Sequence, residues 1–95
     1  MTLDELRTSL SGDEPPPGLP ATVNALWHDA RGDWDRAHRI AQDIDAADGS
    51  WVHAYLHRKE GDLSNAGYWY RRAGRPRPSV PLDEEWEQIA GELLR

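Results

Sequence analysis

Ser50–Pro76, SWVHAYLHRKEGDLSNAGYWYRRAGRP, carries the punctuation from which the fold can be read. Ser50 is a good N-cap, because its hydroxyl can accept from the unpaired backbone N–H groups of a first helical turn. Trp51, Val52, Tyr55, Leu56 and Lys59 then recur at helical spacing. Gly61 can end that helix in the left-handed conformation without a Cβ clash, and Asp62 can cap the next. On the second helix Leu63, Ala66, Tyr70 and Ala73 share a face, with Trp69 beside it. Ala73-Gly74 closes this helix, and Pro76 opposes continuation.

The same pattern occurs upstream. Moved back by 29 positions, His57, Gly61, Asp62 and Ala66 fall on His28, Gly32, Asp33 and Ala37, while Leu56 and Leu63 fall on Trp27 and Trp34. Two helix–Gly-Asp–helix units in tandem predict a helical repeat, in which each unit buries a face it cannot bury alone. No segment alternates apolar and polar residues as a half-buried strand would, so the expected fold is all-α.

The flanks complete this plan. Thr2-Leu3-Asp4-Glu5 is a capping-box pattern, and Leu3, Leu6 and Leu10 form a narrow apolar stripe, so residues 1–12 read as a short N-terminal helix. Within SGDEPPPGLP (Ser11–Pro20), residues 13–20 read as a Pro-rich linker, because the Pro run favours extended geometry. Residues 21–95 read as the helical-repeat domain with a capping helix. Its first helix opens at Pro20 or Ala21 with Val23, Leu26, Trp27 and Ala30 inward; the next turns Trp34, Ala37, Ile40, Ala41 and Ile44 to the core. Ala46–Gly49 is read as a connection to the central hairpin. After the stiff RPRPSVP segment, a last helix from Leu82 or Asp83 carries Trp86, Ile89, Ala90, Leu93 and Leu94 as one stripe and is expected to close the stack.

Composition bounds the function. Ninety-five residues make one small domain, and with no Phe the aromatic volume must come from Trp and Tyr. The absence of Cys removes thiolate metal sites and disulfides, and fits a cytoplasmic location. No apolar run has the length of a membrane span, and MTLDELRTSL lacks a signal-peptide core. A net charge of −6 argues against non-specific nucleic-acid binding. That charge is uneven: Arg58–Arg77 holds six basic and two acidic residues, a local +4 that leaves −10 elsewhere. Tyr68, Trp69 and Tyr70 beside Arg71, Arg72, Arg75 and Arg77 could suit nucleic acid. The stronger reading is that the aromatics pack and that the acidic last helix pairs with the arginines.

Gly32-Asp33-Trp34-Asp35-Arg36-Ala37 resembles the Gly-Asp-aromatic-x-x-Ala corner of tetratricopeptide repeats, and Ala66-x-x-Trp69-Tyr70-x-x-Ala73 resembles the corresponding helix of Sel1-like repeats. The run HAYLHRKEGD…NA.YWYRRAG, from His53 to Gly74, also resembles a group of small bacterial proteins of unknown function. The repeat resemblance implies that the first helices of each unit line a concave surface, and hence a protein- or peptide-binding module. Its expected polar contacts are Asn24, His28, Arg31, His53, His57 and Glu60.

The alternative is a His-lined ligand or metal site. His53 and His57 lie four apart and share a helix face, and the repeat alignment sets His28 opposite them. His28, His53 and His57 are therefore the expected metal set under this alternative. The zincin pattern HExxH is absent, since Ala54 follows His53. No nucleophile triad, phosphate loop or carboxylate pair stands out, so catalytic residues and cofactors are not expected; His acid–base chemistry is the one route open to an enzyme.

Overall fold

The computed structural model describes all 95 residues and contains six α-helices and no strand. They are α1 (Leu3–Ser9), α2 (Ala21–Ala30), α3 (Trp34–Gln42), α4 (Ala47–Glu60), α5 (Leu63–Ala73) and α6 (Leu82–Leu93). No helix is long and apolar enough to cross a membrane.

Local chemistry accounts for the boundaries. Thr2 and Glu5 make the reciprocal capping box of α1. Gly32 and Gly61 adopt φ of 84° and 90°, and the aspartates that follow cap α3 and α5 by accepting from the Arg36 and Asn65 N–H groups. Both Gly-Asp corners thus work as the sequence predicts. Gly74, at φ 70°, ends α5.

α4 is the central helix. Every residue from Gly49 to His57 is buried, and α2, α3, α5 and α6 all pack on it. Leu26, Trp27, Val52, Leu56 and Ile89 meet in a single core with Leu6 of α1, whose side chain is wholly covered. The N-terminal helix therefore docks on its own domain, against α6. The Trp27 indole N–H donates to Ser9 Oγ, and Arg31 donates to the carbonyls of Leu10 and Gly12, which fixes the start of the Pro-rich segment. α6 is held through the buried Glu85 carboxylate, which accepts from Arg58 at 2.8 Å and from the Tyr70 hydroxyl at 2.5 Å. Arg75 pairs with Glu92. The acidic last helix thus pairs with one member of the arginine cluster, Arg75, and with Arg58 of α4.

Several sequence expectations need correction. The segment Ala46–Gly49 is not a connection: α4 starts at Ala47, and Ser50 lies buried inside it rather than capping it. The cause is a close approach, since a Cβ on Gly49 would come within 2.5 Å of the Ile44 carbonyl oxygen. Only glycine lets α4 begin so near the end of α3. Ile44 falls beyond α3, and Ala30 is exposed. Leu63, expected in the core, is 58% exposed because it occupies the first turn of α5, outside the cover of α4.

Candidate metal centre

Three elements bring three aromatic side chains and three imidazoles into one cluster. α3 contributes Trp34 and His38, which stand four apart and stack with centroids 4.9 Å apart and planes 10° from parallel. The Trp34 N–H donates to the Leu56 carbonyl, pinning that ring to α4. α4 contributes His53 and His57, stacked at 4.7 Å. α5 contributes Trp69, whose ring lies 4.0 Å from that of His53, and Tyr68 stands edge-on to Trp69. Packing against the indoles sets the rotamers of His38 and His53.

The imidazole nitrogens converge. His38 Nε2 and His53 Nε2 face each other at 3.0 Å, and one ligand atom from each of His38, His53 and His57 lies within 4.8 Å of the others. His57 Nδ1 is 2.6 Å from Glu60 Oε1. A carboxylate accepts only, so Nδ1 carries the hydrogen and Nε2 carries the lone pair of the neutral ring. This is the outer-shell arrangement by which a carboxylate orients a metal-ligating histidine. The Asn65 side-chain amide approaches Nε2 at 3.4 Å.

The electrostatics keep lone pairs exposed rather than protons. Burial first, then the neighbouring His38 and His57, push the His53 pKa down to about 4. Burial and His57 also lower that of His38, against the opposing pull of Glu60 and Asp35. Two facing Nε2 atoms need a proton or a cation between them, and a buried imidazolium beside two more imidazoles is disfavoured. Neutral imidazoles are what a zinc-type ion requires.

The expected site residues divide into two groups. His53, His57 and Glu60 come together on α4. Asn24, His28 and Arg31 lie on or just after α2 and take no part in the cluster. His28 is buried, with its ring edge-on to Trp27 at 5.1 Å, and burial lowers its pKa. Arg31 lies over the Trp27 ring and holds the N-terminal segment. Asn24 Oδ1 is buried without a hydrogen-bond partner. The expected metal set of His28, His53 and His57 therefore becomes His38, His53 and His57. The repeat alignment paired α2 with α4, but it is α3 that covers the histidine face of α4. The signal for His38 was its i, i+4 relation to Trp34, already assigned to the inward face.

Compared with protein-family models, with curated proteins and with solved structures, the chain matches none.

Proposed function

We propose that this protein is a helical metal-binding protein whose ion is held by His38, His53 and His57. One observation carries the reading: His38 Nε2 and His53 Nε2 meet at 3.0 Å with a His57 nitrogen in reach, inside a largely buried aromatic cage. A zinc ion held among the three would take bonds of roughly 2.0–2.1 Å to one nitrogen of each ring. Three neutral imidazoles suit zinc, copper, nickel or cobalt over the hard cations calcium and magnesium, and leave a fourth position for water or a ligand. Glu60 orients His57 and offsets part of the ion's charge.

Calorimetric titration with Zn²⁺ tests this. Wild-type protein should bind one ion, His38→Ala and His53→Ala should abolish binding, and His28→Ala should leave it intact. Retention of stoichiometric binding by His38→Ala would overturn the assignment.

A second reading, a protein- or peptide-binding module built from two tandem tetratricopeptide-like hairpins, draws support from a different surface. The repeated Gly-Asp corners and the pairing of α2 with α3 and α4 with α5 fit such hairpins. Leu63 and Tyr68 are large apolar side chains left exposed on α5, with Arg72 over the Tyr68 ring. A peptide partner would use exposed side chains of α5 rather than Arg31, which is engaged internally. Leu63→Asp, which touches no ring of the histidine cluster, should abolish capture of such a partner while leaving zinc binding unchanged.

A further inference from the structure

The second Gly-Asp corner delivers one more polar side chain to the histidines. Asp62 caps α5 by accepting from the Asn65 backbone N–H, which fixes the backbone of Asn65 and leaves its side chain free. Trp69 stands four residues on and shares the same helix face. That face lies along His53 and His57, themselves four apart on α4. The Trp69 ring stacks on His53 at 4.0 Å, and the half-buried Asn65 amide meets His57 Nε2 at 3.4 Å.

In the metal-free protein His57 Nε2 carries a lone pair, because Nδ1 holds its hydrogen towards Glu60. The amide answers that lone pair with its Nδ2–H donor. An ion bound at Nε2 takes the lone pair, and the amide then has its oxygen to offer. A half-turn about χ2 exchanges Nδ2 for Oδ1 at the same place. The spacing is that of a ligand set. In a tetrahedral zinc site with bonds of about 2.0–2.1 Å, neighbouring ligand atoms stand about 3.3–3.4 Å apart. The amide stands 3.4 Å from His57 Nε2, and His38 Nε2 stands 3.0 Å from His53 Nε2. The two nearby carboxylates are placed differently. Glu60 faces the Nδ1 edge of His57, away from Nε2, and Asp62 is exposed and holds the α5 cap.

We propose that Asn65 Oδ1 is the fourth ligand of the metal, and that the site is a closed structural clamp rather than an open centre that admits a substrate. The inference rests on the histidine site proposed above, and adds to it the remaining ligand and the class of role. His38 comes from α3, His53 and His57 from α4 and Asn65 from α5, so the ion ties the two Gly-Asp hairpins together. Four protein ligands leave no position for the activated water of a hydrolytic zinc site.

Titration of the full-length protein with Co²⁺, followed by visible absorption, tests this, with azide as the probe of an open position. Wild-type protein should take up one Co²⁺ and show the intense bands of a tetrahedral ion, unchanged when azide is added. Asn65→Ala keeps the backbone N–H that donates to Asp62, so α5 keeps its cap. It should bind Co²⁺ more weakly, and azide should shift its bands. Asn65→Asp supplies an oxygen again and should restore insensitivity to azide. A wild-type spectrum that azide shifts would overturn the fourth-ligand assignment while leaving the three histidines in place. So would an Asn65→Ala spectrum identical to that of the wild type with and without azide. No uptake of Co²⁺ by the wild type would overturn the histidine site, and this inference with it.

Discussion

Single atoms decide two features of this protein. At Gly49, a methyl group would press into the Ile44 carbonyl and side chain. Gly49→Ala should therefore cost about 1–3 kcal/mol, the usual penalty of overpacking, as read from the urea unfolding midpoint. An unchanged midpoint would mean that the junction between α3 and α4 can relax. Sequence reading could not find this constraint, because a glycine before Ser50 looks like a loop residue until the path of Ile44 is known. The second feature is His53, with its pKa of about 4 when folded against about 6.5 in an unfolded chain. As the pH falls the unfolded chain takes up this proton first. The metal-free protein should thus hold its full stability above about pH 6.5, lose it as the pH drops towards about 4, and level off below. The full shift corresponds to on the order of 3 kcal/mol. Unfolding midpoints at about pH 7 and about pH 4.5 should differ accordingly, and His53→Gln should flatten the difference.

At the scale of elements, the helices were legible wherever short-range chemistry marks their ends. The capping box, the two Gly-Asp corners and Gly74 each stand where the sequence predicts. The start of α4 was not legible, since it has no side-chain cap. Neither was the docking of α1, because a seven-residue helix with two leucines does not itself specify its partner. The structure supplies that partner, α6, and leaves Leu6 wholly buried. Leu6→Ala should cost about 2–5 kcal/mol, whereas a free N-terminal arm would lose almost nothing. α6 depends on one buried carboxylate in the same way. Glu85→Ala would strip Arg58 and Tyr70 of their shared acceptor, and should cost about 3–5 kcal/mol in the same urea measurement. A loss below about 1 kcal/mol would show that α6 is held by its apolar stripe alone.

Across the whole molecule, α4 separates two polar sites on a scaffold of aromatic packing. His53, His57 and Glu60 occupy one flank, and Tyr55 and Lys59 the other, which is why no single apolar stripe describes this helix. The all-α class follows from periodicity alone, and two of the three clustered histidines follow from their i, i+4 spacing. The third depends on which helix lies across α4, a tertiary fact that a repeat alignment of first helices assigned to the wrong neighbour. His38 enters because α3 crosses that face with Trp34 fixed to the Leu56 carbonyl. The most direct measurement is the anomalous diffraction of crystals grown with Zn²⁺. The account predicts one strong peak about 2.0–2.1 Å from Nε2 of His38 and His53 and from a ring nitrogen of His57. A peak at His57, Glu60 and Asp62 alone, a peak at His28, or no peak among the three imidazoles would contradict it.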